Sequence, residues 1–217
     1  MNKSCDLIHR QGLAQMKDIP SPTKKRLILL ERLLSDFKEE RITSQKIQEL
    51  TGWTSAVVRR DFYLLELKCG SSNGYNVQSL RESIKNALNL SGRKTPCCLV
   101  GLNRIGQMLL DGGGLDGSGF FLTAGFDSSV NRTEVLKSSF PLHSTVMLET
   151  IIRAESVKYA VLAVDDSEAQ KMTDRLVAAG IKGIVNYTSR MLSVPDGVTV
   201  ENVCLLTALE SLAAGRE

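Results

Sequence analysis

Histidine is nearly absent from this chain of 217 residues, which holds only His9 and His143. A histidine-based triad or metal site therefore has little to draw on. The cysteines, Cys5, Cys69, Cys97, Cys98 and Cys204, are odd in number and contain no Cys-x-x-Cys pair. That pattern disfavours a disulfide framework and a structural zinc site. No apolar run approaches the roughly 18 residues that a membrane-spanning helix needs. The first residues, Met1 to Ile19, mix Lys3, Asp6, Arg10, Lys17 and Asp18 with scattered apolar positions and offer no signal-peptide core. The expectation is a cytoplasmic protein with no membrane partner. What is present is enough to fold: 42% hydrophobic and 24% charged residues suit one large or two small globular domains.

The net charge of +3 conceals an asymmetry. Residues 1–92 carry 15 Lys/Arg against 10 Asp/Glu, whereas residues 93–217 carry 12 against 14. A basic piece joined to a slightly acidic one suggests a reader of polyanions attached to a different module. A chance excess on a solvated surface would look the same.

The N-terminal piece has helical periodicity. Ser21 is placed to cap and Pro22 to occupy the first turn of a basic helix, Lys24-Lys25-Arg26 onward, with Leu27, Leu30, Leu34 and Phe37 at three- and four-residue steps. A second helix begins near Thr43, carries Lys46 and is expected to bury Ile47 and Leu50. Thr51-Gly52-Trp53 breaks it, and Thr54-Ser55 is placed to cap a third helix bearing Val57, Val58, Phe62 and Leu65. Helix, tight glycine turn and helix is the spacing of a helix-turn-helix, whose second helix enters the major groove of DNA with its first residues. Here those residues are Thr54, Ser55, Arg59 and Arg60. Arginine offers guanine edges or phosphates a planar fork, and the hydroxyls serve either target. A helical hairpin with an exposed Arg-Arg pair is the plainer reading. The Gly70-Ser71-Ser72-Asn73-Gly74 stretch before Tyr75 suits the wing of a winged helix, and a helix over 76–90 with Leu80, Ile84 and Leu88 closes the domain.

The period changes after Pro96. Apolar runs at Cys97-Val100, Phe120-Phe126, Tyr159-Val164 and Gly183-Tyr187 alternate with helical stretches at Thr145-Arg153 and Ser167-Ala179. The expected fold class is therefore α/β: a winged helix-turn-helix domain followed by a Rossmann-like parallel sheet with helices on both faces. Cys97 and Cys98 in the first strand point to opposite faces and read as packing. At that strand's end stands Gly101-Leu102-Asn103-Arg104-Ile105-Gly106, where a dinucleotide-binding turn belongs. The second strand ends at Asp127, 26 residues beyond Gly101, where an acid is placed to hold ribose hydroxyls. The middle glycine of the fingerprint, which lets backbone approach the pyrophosphate, is Asn103. An empty scaffold is the alternative.

From Ile19 to Leu212 the chain resembles the Rex family of redox-sensing transcriptional repressors. The resemblance rests on Ile19-Pro20, Val58-Arg59-Arg60-Asp61-Phe62, Gly74-Tyr75-Asn76-Val77 and Ala124-Gly125-Phe126-Asp127. It extends to Thr173-Asp174-Arg175-Leu176, Gly180 to Ile184 with Asn186-Tyr187, and Val194-Pro195. It implies a homodimer that binds double-stranded operator DNA when NADH is scarce and releases it when NADH rises. Arg59 and Arg60 would contact DNA, with Ser55, Lys46, Gly74 and Tyr75 nearby; Gly101 to Gly106 would face the pyrophosphate of NADH or NAD, and Asp127 the ribose. Three segments are implied: 1–92 for DNA, 93–202 for the dinucleotide, and 203–217 as a dimerisation helix exchanged between subunits. Its apolar set, Val203, Leu206, Leu209 and Leu212, would also suit an ordinary core helix.

The chain departs from the family pattern at Asn103, at Val203-Cys204-Leu205 where the family has Val-Asp-Leu opposite the position of Arg32, and at Tyr63-Leu64-Leu65-Glu66. It departs again at Ser71-Ser72 and at Ala163-Val164-Asp165. Cys204 is either a small packed group or a redox handle. Two competing functions stay open: a DNA-binding dimer whose second domain has lost or weakened nucleotide sensing, and an NAD-dependent oxidoreductase. The second lacks an evident acid or base for hydride transfer.

Overall fold

The structure, a computed structural model, describes residues 19–65, 74–90, 92, 94–111, 115 and 118–214. The chain separates into two compact units, Met1–Ser91 and Gly92–Glu217. The first is built on α1 (Ser21–Ser35), β1 (Arg41–Ile42), α2 (Ser44–Thr51), α3 (Ser55–Leu64), β2 (Tyr75–Asn76) and α4 (Val77–Ala87). Leu27, Leu30 and Leu34 of α1 meet Ile47, Val58, Phe62, Leu80 and Ile84 in one core. Four helices thus bury one stripe each, as their 3.6-residue period requires. Thr43, Thr54 and Asn76 cap α2, α3 and α4 through their side chains. β1 and β2 pair antiparallel, Ile42 opposite Tyr75, and of the stretch read as the wing only Gly74 onward lies among the described residues. Gly74 permits this pairing, since its φ is +84° and a Cβ there would lie 2.7 Å from the carbonyl oxygen of Ile42.

Two details differ from expectation. α1 begins one residue early: Pro20 occupies the cap and its carbonyl accepts from the Lys24 amide, so Ser21 lies inside the helix. Leu50 is 46% exposed, because an eight-residue helix offers its core a single stripe and Ile47 fills it.

The second unit is a six-stranded, wholly parallel sheet: β3 (Thr95–Val100), β4 (Phe120–Asp127), β5 (Leu142–Ser144), β6 (Tyr159–Leu162), β7 (Gly183–Asn186) and β8 (Thr199–Asn202). Their spatial order is β5-β4-β3-β6-β7-β8. The chain therefore steps outward from β3 to one edge, returns, and steps outward to the other. This reversal between β3 and β6 is where such sheets place their ligands, outside the carboxyl ends of the strands. The connecting helices are α5 (Arg104–Gln107), α6 (Val130–Val135), α7 (Leu148–Ala154) after a 3-10 turn at Thr145–Met147, and α8 (Ala169–Ala179). α9 (Leu205–Ala214) follows β8.

The sheet divides its core in two. Cys98, Val100, Ala124 and Phe126 face one layer with α7 and α8 residues, and Cys97, Leu99, Leu102 and Phe140 face the other. Cys97 and Cys98 thus do point to opposite faces, and burial pushes the Cys97 thiol up to about 11 and the Cys98 thiol higher still. Arg175 of α8 clasps Glu149 of α7 through two hydrogen bonds of 2.6 and 2.8 Å and also donates to the Thr145 carbonyl. The guanidinium draws the Glu149 carboxyl below its ordinary range. Helix α9 buries none of its side chains: Leu205, Leu206, Leu209 and Leu212 are 76%, 62%, 54% and 70% exposed. Cys204, just before it, is half-exposed rather than packed away, and a hydrogen bond with Thr207 draws its pKa down. Cys5, Cys69, Ser71-Ser72 and Gly112-Gly113-Gly114 lie outside the described residues.

Candidate functional site

Two sites take shape, one in each unit. In the first, Gly52 terminates α2 with φ +75°, and three residues later α3 begins. The turn is locked from within: the Gln48 Oε1 accepts both the Ser55 amide and the Ser55 hydroxyl at 2.8 Å. Ser55 therefore joins the two helices, and its hydroxyl proton is already placed. Thr54 accepts from the Val57 amide as the cap. Arg59 and Arg60 are exposed on α3, with Arg59 Nη1 3.4 Å from the Ser44 hydroxyl. Tyr63, 83% exposed and four residues after Arg59, lies on the same helix face. Lys46 pairs with Glu49 at 3.2 Å, and Tyr75 sets its ring edge-on to Phe62 with centroids 4.8 Å apart.

The most constrained group of this unit was not visible in the pattern. Asp61, with its side chain 3% exposed, accepts from Thr23 Oγ1 at 2.9 Å and receives the Arg26 guanidinium through Nε at 2.6 Å and Nη2 at 2.8 Å. Arg26 thus serves inside the fold rather than as part of a basic helix offered to phosphates. The bond ties α1 to the side of α3 opposite Arg59 and Arg60, setting the pitch at which those arginines are presented.

In the second unit the turn after β3 is held by its glycines. Gly101 has φ +96°, and a Cβ there would lie 2.2 Å from the Ala163 carbonyl oxygen. A Cβ on Gly106 would lie 2.0 Å from the Gly101 carbonyl oxygen. Both positions admit glycine alone, which is what tight turning and close helix packing demand. Leu102 is fully buried, and Arg104 and Ile105 are exposed. Asn103 behaves as a cap: its Oδ1 accepts from the amides of Ile105 at 3.1 Å and Gly106 at 3.2 Å. Asparagine is among the preferred residues at that place, and here its oxygen sits where convergent amides would meet an anion. Amide donors beside a glycine turn suit a pyrophosphate, and in this structure the Asn103 oxygen accepts from two of them.

Asp127 lies at the end of β4, as expected, but inward. Its Oδ2 accepts from the Leu102 amide and its Oδ1 from the Ser129 amide, both at 2.7 Å. Arg132 Nη1 reaches both oxygens, at 3.2 and 3.4 Å. Asn186 is likewise saturated, bonding Arg190, Asn202 and Thr188, so it shapes the sheet edge. His143 in β5 lies beside the Phe126 ring, with centroids 6.0 Å apart. Among the described residues no cluster of His, Cys, Asp and Glu is arranged to hold a metal ion, and no helix is long and apolar enough to cross a membrane.

Known proteins share this arrangement. Residues 18–62 match the family model described as "Putative DNA-binding protein N-terminus", and residues 93–190 match the "CoA binding domain" model. The redox-sensing transcriptional repressor Rex of Leuconostoc citreum (strain KM20) is 32% identical over 203 residues, covering 92% of this chain and 94% of the relative. Among solved structures, RSP in complex with beta-NAD+ and operator DNA superposes with a TM-score of 0.82 at 27% identity, over 90% of this chain and 91% of RSP. RSP in complex with beta-NADH gives 0.80 at 26% identity, over 91% and 93%.

Proposed function

Because the chain belongs to the Rex family of redox-sensing transcriptional repressors, we propose that it binds operator DNA as a homodimer in the cytoplasm and responds there to the NADH/NAD balance. The observation that carries this reading is the pairing, in one chain, of an exposed Arg59-Arg60 on a locked helix-turn-helix with a glycine turn at the reversal point of a parallel sheet. Arg59 and Arg60 bind DNA. Gln48, Ser55 and Asp61 orient the helix that bears them. The dinucleotide supplies the redox signal through its nicotinamide; Gly101 and Gly106 hold the turn and the packing that set the loop facing its pyrophosphate. The bare leucines of α9 suit a second copy of the chain, since so much exposed apolar surface on one helix calls for a partner. The protein is read as a regulator, as its relatives are.

The direct test titrates NADH, and separately NAD, into the protein bound to labelled palindromic DNA at fixed salt, because phosphate contacts make affinity salt-dependent. Release by NADH but not by NAD is expected; DNA binding indifferent to both would refute the sensing part. Replacing Arg59 with Ala is expected to cost about 1–3 kcal/mol of operator binding and to relax base preference, measured by competition between operator variants. Unchanged affinity and preference would remove Arg59 from the interface. Replacing Asn103 with Gly frees two amides at the cost of a weak cap, and should tighten NADH by about 1 kcal/mol, roughly fivefold, in calorimetric titration. An unaltered dissociation constant would show that the side chain does not compete.

A further inference from the structure

The outward face of α3 ends on a side chain that the fold itself does not use. Ala56, Arg59, Arg60 and Tyr63 recur at three- and four-residue steps and are all exposed, while Val58, Asp61 and Phe62 form the buried stripe opposite. The other tyrosines are engaged: Tyr75 sets its ring against Phe62, Tyr159 against Phe120, and Tyr187 packs on a core of the second unit. Tyr63 is 83% exposed, and among the described residues no aromatic pair and no hydrogen bond engages its side chain. Side chains tilt toward the N-terminus of their helix, so the phenol leans over the turn that carries Arg59 and Arg60.

A recognition helix meets the base edges with its first residues, in a major groove about 12 Å wide and about 8.5 Å deep. Tyr63 follows Ala56 by two turns, about 10 Å along the axis. That rise exceeds the depth of the groove and carries the residue to the rim, where the phosphates stand. We propose that Tyr63 is a phosphate contact of α3, its hydroxyl donating to a backbone oxygen at the groove rim. The inference rests on the reading that α3 binds operator DNA. The acceptor is ionised, so the bond is charge-assisted. Such a contact fixes the register of the helix and carries no base information. A hydroxyl brings no charge and displaces no counterion, so its contribution persists at salt concentrations where arginine-phosphate pairs weaken.

The test uses the full chain and a labelled duplex that it selects from a palindromic pool, with single-base variants of that duplex, and measures affinity by fluorescence anisotropy at several salt concentrations. Tyr63→Phe removes one oxygen that touches no described protein group, so its unfolding midpoint should equal that of the unaltered chain. Its affinity is expected to fall about tenfold for each half-site engaged, the loss of a hydrogen bond to a charged group. The fall should be equal on the selected duplex and its variants, and the slope of log affinity against log salt should stay the same. Loss of an arginine-phosphate pair would instead flatten that slope by about one. Tyr63→Phe binding as tightly as the unaltered chain, while Arg59→Ala binds more weakly, would overturn the inference alone. A changed base preference in Tyr63→Ala with none in Tyr63→Phe would also overturn it, by placing the ring inside the groove. Failure of the unaltered chain to select any duplex would overturn it together with the functional reading.

Discussion

Replacing Asp61 with alanine is expected to destabilise the N-terminal unit by about 3 kcal/mol, the lower end of the cost of breaking a buried ion pair. The lower end applies because the Arg26 side chain left behind is 26% exposed and regains some water. In a unit this small the loss corresponds to a fall in unfolding midpoint of roughly 15 °C. Trp53 is the only tryptophan of the chain and packs against this core, so its fluorescence follows the unit selectively. Operator binding should weaken even well below the new midpoint, since the bond that sets the pitch of α3 is gone. Replacing both partners, Arg26→Met with Asp61→Leu, should recover much of the stability, because apolar pairs of similar volume substitute well for buried ion pairs. A shift below about 0.5 kcal/mol in Asp61→Ala would show the pair to be no stronger than an exposed one.

Gly101→Ala should cost the second unit about 2–5 kcal/mol, combining a left-handed backbone with overpacking. The atoms met by the new methyl are the Ala163 carbonyl and the Val164 amide, 2.2 to 2.7 Å away, which are backbone and can yield only if β3 and β6 part. Gly197 provides the control. Its φ is +86°, but nothing lies within 4 Å of a Cβ placed there. Gly197→Ala therefore incurs the conformational term alone, about 1–2 kcal/mol. Thermal melts by far-UV circular dichroism compare the two, and equal losses would mean that crowding at Gly101 is relieved by relaxation.

Much of the fold was legible because its repeats are local. Val58 and Phe62 mark one face of α3, and Cys97 to Val100 and Ala124 to Phe126 mark strand segments buried on both sides. The edge strands were not: β5 contributes three residues, and β8, Thr199–Asn202, is mostly polar and exposed, so neither carries a hydrophobic signature. α6, of six residues with no buried side chain, gave no periodic signal either. In the sites, spacing located Arg59, Arg60, Gly101, Gly106 and Asp127. Orientation was beyond it. Asp61 and Arg26 are 35 residues apart in sequence, and nothing along the chain announces their bond. Asp127 was found by its distance from the glycine turn, yet whether its oxygens face a ligand or the turn depends on where Ser129 and Arg132 fall. Asn103 did carry a readable signal: an asparagine just ahead of a helix is a cap, and reading it only as a missing glycine overlooked where its oxygen would go.

That internal oxygen has a consequence for how the protein would report on the cell. If the Asn103 oxygen competes with a pyrophosphate for those amides, the fraction of molecules competent to bind falls, and the apparent dissociation constant rises by the reciprocal of that fraction. The penalty falls on the pyrophosphate, which NADH and NAD share, so both affinities scale alike. Asn103 would leave the discrimination between reduced and oxidised forms untouched while raising the total nucleotide concentration at which the sensor fills. On the proposed function, the residue would then set a threshold on pool size, separate from the redox ratio being read.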